Sequence, residues 1–509
     1  MDTQKTSQEG SEEEARRGEE SERTMTRDFH ALNDPPNPHN LNYKALLRKQ
    51  DRFLLPTLTI LYLLNWMDRG NIGNARLEGL EKDLNMAGND YQIALTVFFF
   101  PYCAFEPIAN VLLKKFRPRI WLPSIMVAWG IVMTLTGVVQ NYHGLLAARF
   151  FLGLTECGLY PGVAYYLTNW YPRAELQYRQ AFFFSAASMA GAFSGLLAYG
   201  IGFMGGVGGY NGWRWIFILE GLLTIVVALV AFRTLFDWPN SEKTFFTREE
   251  QEYANARLRA DFGRRIDEED EKLAKVDEFS WVHVKEAFSD WQIYLSILIY
   301  WGCVAPMYGI SFFLPSIIKG LGYGKAESQL LTVPIYVFAS VVSIVQAKLS
   351  DRYRKRYPFL LFSFGLMLIG FILAIAGNGG IAITLVGIFI LATGIYPAFP
   401  AIVAWLANNL SGSSKRNIGM ALQIGLGNMS GAMGSNFFRT QDAPGYRLGH
   451  GLEIGFIVMG ITSTVVMAFT LKRINASRDR MLPEEVKAKH SEDELLELGD
   501  KSPFFRYQV

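Results

Sequence analysis

Arg149 and Glu156 lie seven residues apart inside an apolar run, Leu145 to Leu167. At roughly 100° per residue, seven residues make close to two turns, so both side chains leave the same side of a helix. The rise between them is about 10 Å, too long for a direct pair within one helix. Each therefore needs a partner from another segment. A second apolar run carries Asp68 and Arg69, one group of each sign. A guanidinium stays charged in a protein, whereas a buried carboxylate can take up a proton. Protonating Asp68 and Glu156 would leave Arg69 and Arg149 uncompensated and create a site where a guanidinium fork grips an arriving carboxylate. The chemistry predicted is movement of an anion together with protons. Asp68 and Glu156 then carry protons, and Arg69 and Arg149 hold the substrate.

Glu106 is a third candidate for proton coupling, and Glu220 and Arg233 are read as residues near span ends that reach the interface. The second half of the chain offers neutral groups. Tyr396, Gln423 and Asn428 are taken as substrate contacts, and Tyr300, Tyr308, Trp405 and Asn408 are weaker candidates. For Asn428, set among glycines, bonding to substrate and to a neighbouring helix remain equally open. No histidine is placed at mid-span, no Cys/His cluster has metal spacing, and no phosphate loop or nucleophile elbow is present. Neither an enzyme, a metal nor a cofactor is expected; protons are the coupling ion.

These residues must be positioned by membrane helices. Of 509 residues half are hydrophobic, and apolar stretches of about 20 recur between short charged loops. Twelve spans are expected, at 53–73, 91–113, 120–139, 144–168, 178–204 and 213–236, then 291–318, 328–348, 357–377, 381–407, 417–438 and 450–472. The expected organisation is a disordered tail (1–45), a six-helix bundle (46–236), a linker (237–290), a second bundle (291–475) and a C-terminal tail (476–509). Thr247-Arg248-Glu249-Glu250 fits a capping box opening a short helix in that linker. A formal charge of +2 leaves no nucleic-acid footprint. Lys114, Lys115, Arg117 and Arg119, and later Arg352, Arg354, Lys355 and Arg356, fall on one side of the spans, which places both termini and the linker in the cytosol. The sequons at Asn409, Asn428 and Asn475 then stay unglycosylated.

The two halves echo each other. Gly158-Leu159-Tyr160-Pro161 recurs as Gly394-Ile395-Tyr396-Pro397, and Met189-Ala190-Gly191-Ala192 as Met429-Ser430-Gly431-Ala432, at nearly the same offset. A duplicated six-helix unit with substrate near the midplane resembles the major facilitator architecture, an all-α membrane fold of twelve helices in two halves. Gly191 to Gly195 and Gly427 to Gly431 have the G-x-x-x-G spacing of close helix packing.

The run Leu64 to Ala75, with Asp68-Arg69-Gly70-Asn71-Ile72-Gly73-Asn74-Ala75, resembles the first-span signature of the anion:cation symporter family. Arg149 through Glu156, Lys415 through Asn428 and Asp442-Ala443-Pro444 look like its fungal allantoate permease group. The resemblance implies proton-driven uptake of small organic anions such as nicotinate, allantoate, pantothenate or biotin. It also implies that Asp68, Arg69, Arg149 and Glu156 carry protons and substrate, as their counterparts do in similar bacterial sugar-acid symporters. The loop after span 2, Asn110 to Arg117, departs from the superfamily's acidic-basic gating motif, whereas the loop after span 8 keeps Ser350-Asp351-Arg352. Gating is therefore assigned to Asp351 and Arg352. The expected partners are a small organic anion and the lipid bilayer, in a monomer of the plasma membrane. A proton-coupled drug antiporter fits less well, because Leu196 stands where that group's fifth-span motif has proline. A non-transporting nutrient sensor is the reading from another class.

Overall fold

The computed structural model describes residues 39–241, 245–261, 281–353, 355–376, 380–411, 413–437 and 447–481, and parts of 486–509. Residues 1–38, most of the second half of the linker, and Asp442-Ala443-Pro444 lie outside the described residues. Every regular element among the described residues is helical. The N-terminal half comprises α1 (Tyr43–Leu77), α2 (Asp90–Lys115), α3 (Pro118–Thr136), α4 (Tyr142–Glu156), α5 (Leu159–Thr168), α6 (Arg173–Gly202) and α7 (Gly212–Thr234). Two linker helices follow, α8 (Arg248–Asp261) and α9 (Trp281–Phe288). The C-terminal half comprises α10 (Trp291–Gly320), α11 (Thr332–Tyr353), α12 (Tyr357–Ala376), α13 (Ile381–Asn409), α14 (Ser413–Gly434) and α15 (Arg447–Asp479).

Nine of the described helices are long and apolar enough to cross a membrane. The predicted spans outside that set have physical reasons to differ. α1 carries Asp68 and Arg69 in its interior, and α14 is rich in glycine and amide side chains. Span 4 is split into α4 and α5 at Cys157-Gly158. Pro161 explains the split: it has no N–H for the Cys157 carbonyl, and its ring crowds that carbonyl. The starts are capped as the chemistry requires. The Asn141 side chain accepts from Gly144 N at 2.8 Å to open α4, and Asp290 accepts from Gln292 N at 3.0 Å to open α10. In α8 the capping box closes in both directions, Glu250 N to Thr247 Oγ1 at 3.3 Å and Thr247 N to Glu250 Oε2 at 2.9 Å.

The outward faces are greasy: Leu222, Val226, Leu229 and Val230 form an exposed stripe along α7 at helical spacing. Inside each half, glycines let helices touch backbone to backbone. A Cβ on Gly302 of α10 would lie 2.8 Å from Gly460 Cα of α15.

The halves meet along α1 and α10, α2 and α14, and α6 with α11 and α13. Contacts close both ends. At the face where α1 begins, hereafter the terminal face, Tyr178 N of α6 donates to Asp351 Oδ2 of α11 at 2.8 Å. At the opposite face Asn436 Nδ2 donates to Thr96 Oγ1 of α2 at 2.8 Å. Gly191 and Gly195 of the first G-x-x-x-G pair face Tyr336 and the Gln329 carbonyl across this interface.

Two segments brace the terminal face. The linker helix α8 docks on α1 through Lys49 Nζ and Glu250 Oε2, 2.5 Å apart, while Phe245 stacks on Trp170 at 5.4 Å. Partial burial pushes the Glu250 carboxyl up, but the Lys49 ammonium and the Thr247 N–H outweigh it and hold it below its ordinary range. In the C-terminal half, residues 499–509 lie across the helix ends. The Gln508 carbonyl accepts from Trp405 Nε1 at 2.8 Å and from Asn409 Nδ2 at 3.0 Å. Asn475 donates to the Tyr507 carbonyl at 2.8 Å. Two of the candidate polar positions, Trp405 and Asn408, are thus occupied by the C-terminal segment, as is Asn409.

Lys415 anchors that strap. Its Nζ lies 2.8 Å from Asp290 Oδ2 and 2.7 Å from Asp500 Oδ1, and all three side chains are buried. Removing one member of a buried ionic group strands the others, at a cost of about 3–5 kcal/mol. Lys415→Met is expected to lower the midpoint of thermal unfolding in detergent markedly, and Lys415→Met with Asp500→Asn to recover part of the loss. Equal stability of Lys415→Met and wild type would show that the strap contributes nothing.

Candidate functional site

The charged core sits between α1, α2 and α4. Arg69 Nε donates to Glu156 Oε1 at 2.8 Å, Nη2 also bonds this oxygen, and Asn65 Nδ2 adds a third donor at 2.8 Å. Glu156 Oε2 is buried with no partner among the described residues. The remaining Arg69 nitrogen, Nη1, donates to Tyr308 Oη of α10 at 2.5 Å, and Tyr308 in turn donates to Asn428 Oδ1 of α14 at 3.3 Å. A single chain, Glu156–Arg69–Tyr308–Asn428, joins the N-terminal half to the C-terminal one.

Aromatic rings box in the guanidinium. Its central carbon lies 4.9 Å from the Tyr102 ring, 5.1 Å from Phe98, 5.4 Å from Trp66 and 5.9 Å from Tyr308. Ring faces attract a cation, which offsets part of the loss of water around Arg69. Phe98 has a second charge on it: the Arg149 guanidinium lies 5.0 Å from the same ring.

From the sequence, Asp68 and Arg69 are expected to serve Arg149 and Glu156 jointly. The structure joins Arg69 to Glu156 and sends Asp68 elsewhere. Consecutive residues on a helix point about 100° apart, so one of the two must turn away from α4. Asp68 Oδ2 accepts from Trp129 Nε1 of α3 at 2.9 Å and Thr224 Oγ1 of α7 at 2.8 Å, inside the N-terminal half. Arg149 has one hydrogen bond among the described residues, from Nε to the Ala94 carbonyl at 3.3 Å; Nη1 and Nη2 have none. It is fully buried and lines neither described cavity.

Two cavities meet at Trp66 and Arg69. The larger, of about 40 Å³, extends toward the opposite face between α1, α6, α10 and α11, with Asn74, Ser194 and Tyr396 in its wall. The smaller, of about 10 Å³, lies toward the terminal face and is walled by Tyr62, Tyr102, Tyr160, Tyr300, Phe399 and Asn428. Tyr396 lines the larger cavity and Asn428 the smaller. Gln423 lines neither. Its Nε2 bonds Ser296 and the Ile402 carbonyl, tying α14 to α10 and α13. Glu106 is fully buried with both oxygens unpartnered among the described residues, and packs against Gly425 of α14 across the interface. Asp351 meets Arg356 Nη1 at 2.6 Å, in addition to Tyr178 N, whereas Arg352 is exposed.

Two buried carboxylates escaped the sequence reading. Glu220, expected near an interface, is 2% exposed and accepts from Asn71 Nδ2 at 2.6 Å. The pattern that would reveal it is the match of Asp68 and Asn71, one turn apart on α1, with Thr224 and Glu220, one turn apart on α7. Glu453 of α15 is also fully buried, with neither oxygen partnered among the described residues. It stands six positions into α15, where a charged residue reads as a span end.

The family model described as Major Facilitator Superfamily matches residues 58–435. The chain is 36% identical over 475 residues to the MFS-type transporter cnsO of Penicillium expansum, covering 91% of this chain and 90% of that one. It is 33% identical over 475 residues to a high-affinity nicotinic acid transporter of Saccharomyces cerevisiae, covering 93% and 86%. Among solved structures, the proton:xylose symporter XylE superposes with a TM-score of 0.60 at 13% identity, over 81% of this chain and 95% of that one. A bacterial homolog of the human lysosomal transporter Spinster does so with a TM-score of 0.60 at 15% identity, over 85% and 98%. With its helical halves, its internal polar chain and these relatives, this chain belongs to the Major Facilitator Superfamily and is an integral membrane transporter, not an enzyme.

Proposed function

We propose that the chain is a proton-coupled symporter that imports a small organic anion, as a monomer of the plasma membrane with both termini in the cytosol. Within the superfamily the reading places it beside the fungal allantoate permease group of anion:cation symporters. The observation that carries it is Arg69, a guanidinium on the wall of both cavities whose charge is balanced by Glu156. A substrate carboxylate reaching Arg69 competes with Glu156 for the same donors. Displaced from that pair, Glu156 becomes a carboxylate in a water-excluded site, and taking a proton on Oε2 removes the cost of its charge. Anion and proton then enter together. Arg149 supplies a second positive charge behind Phe98 and keeps the site attractive to anions as a whole. Glu106 holds a further proton at the contact with α14, Asn428 and Tyr396 shape the pocket, and Asp351 with Arg356 closes the terminal face. The six-helix halves, 46–236 and 291–475, move against each other. The named activity of the yeast relative supports nicotinate as the first substrate to try.

The test is uptake of labelled nicotinate into proteoliposomes at two external pH values. Accumulation is expected to rise with external acidity and to acidify the lumen. Glu156→Gln is expected to lose proton-driven accumulation while retaining exchange of labelled for unlabelled anion. Unchanged accumulation in that variant would remove Glu156 from the mechanism. Acid-driven efflux would indicate an antiporter, and binding without flux a sensor.

A further inference from the structure

Asp68 and Glu220 form a second acidic site inside the N-terminal half, away from the Arg69–Glu156 pair. α1 and α7 are zipped together there: Asp68 takes Thr224 and Trp129 as donors, and Asn71, one turn on, donates to Glu220. Each carboxylate uses one oxygen in these bonds. The other oxygens, Asp68 Oδ1 and Glu220 Oε1, are buried and have no partner among the described residues. Asp68 and Asn71, one turn apart on α1, face Thr224 and Glu220, one turn apart on α7, so both carboxylates lie on one seam. Among the described residues no cation balances them. Arg69 turns toward Glu156, the apolar stretch of α3 around Trp129 offers no charge, and α6 contributes the neutral Ser194. Two bare carboxylates buried on one seam repel each other and lose much of their solvation, so the site is built to keep a proton.

A second feature links it to the cavity. Asn74 Nδ2 donates to Ser194 Oγ at 2.7 Å, Ser194 Oγ donates to Asn71 Oδ1 at 2.9 Å, and Asn71 Nδ2 donates to Glu220 Oε2 at 2.6 Å. All three donors point the same way, ending on Glu220. Asn74 and Ser194 stand in the wall of the larger cavity, one on α1 and one on α6.

We propose that Glu220 is a further proton-holding group of the transport cycle, sharing a proton with Asp68 and transmitting its state to the cavity wall through Asn71, Ser194 and Asn74. The inference rests on the symport reading above for its role in transport. The shared proton sits on the unpartnered Glu220 Oε1, leaving Oε2 to accept from Asn71. When it leaves, the charge on Glu220 strengthens the Asn71 bond and polarises the whole chain, drawing α6 against α1. When it returns, the chain slackens and α6 is freer to move.

Two measurements on the purified full-length chain test this. In infrared spectra taken across a pH range, the wild type is expected to show a protonated-carboxyl band at neutral pH. That band should lose a component in Glu220→Gln, which keeps an acceptor for Asn71, and regain it at a shifted frequency in Glu220→Asp. In proteoliposomes, Glu220→Gln is expected to lose stimulation of labelled nicotinate uptake by a proton gradient while retaining gradient-free counterflow. A carboxyl band identical in wild type and Glu220→Gln at every pH would overturn the proposal, as would full gradient stimulation in that variant. If Glu220→Gln does not fold, Glu220→Asp decides alone, and an unshifted band overturns the proposal. If the wild type moves no nicotinate, the symport reading loses its support while the infrared measurement still decides Glu220.

Discussion

Arg69→Met is expected to abolish transport and to destabilise the protein by about 3–5 kcal/mol, the cost of stranding one member of a buried ion pair. Glu156 is fully buried, and without Arg69 its only remaining donor among the described residues is Asn65. The variant also breaks the bridge to Tyr308 and removes the cation on which four rings converge. Adding Glu156→Gln removes the stranded charge. The double variant is therefore expected to unfold at a higher temperature than Arg69→Met alone, while uptake stays lost. This separation divides the structural from the functional share of Arg69, as a double-mutant cycle does for any contacting pair. Arg69→Lys is expected to fold and transport poorly, because an ammonium cannot serve Glu156 and Tyr308 at once from a planar fork. If Arg69→Met and the double variant unfold together, the pair is not what holds α1 to α4.

Gly153→Ala is the second large effect. Gly153 lies on α4 between Arg149 and Glu156, and a methyl group there would run into the backbone carbonyl of Phe98 on α2, with Pro101 Cγ only 3.1 Å away. Overpacking costs typically about 1–3 kcal/mol where side chains can give, and more where the obstacle is main chain. Here the two helices must part. Phe98 carries the ring against which both Arg69 and Arg149 rest, so the shift disturbs both charges at once. Loss of folded protein, or folded protein without uptake, is the expected outcome by size-exclusion chromatography and flux. Gly200→Ala is the control. Nothing lies within 4 Å of its would-be methyl group, and an effect within about 0.5 kcal/mol is expected. Equal behaviour of the two variants would show that α2 and α4 tolerate separation.

The run of apolar segments and the internal repeat make the fold legible from sequence alone. Which charges pair was only partly legible. Arg149 and Glu156 read correctly as one face of a helix, and Glu156 does take its partner from span 1. The direction of Asp68 was open to reasoning, since its neighbour Arg69 already faces α4. What occupies the other side, the antiparallel match of α1 with α7, depends on the packing of helices far apart in sequence. Gln423 illustrates the same limit in reverse. An amide in a span reads equally as substrate contact and as helix glue, and only the position of Ser296 decides for glue. The strap of residues 499–509 was not legible at all, because its bonds come mainly from main-chain carbonyls, which carry no residue signature.

The cavities beside Arg69 are far smaller than the roughly 300–1,000 Å³ of ordinary small-molecule sites. A small-molecule substrate has no room between the closed halves, so the closed form takes no part in the initial capture. Affinity then depends on how often the halves stand apart: the apparent dissociation constant is the intrinsic one divided by the open fraction. Substitutions at the interface contacts, such as Thr96 with Asn436 or Tyr178 with Asp351, need never touch the substrate to tighten its binding. They have only to make the closed form less comfortable.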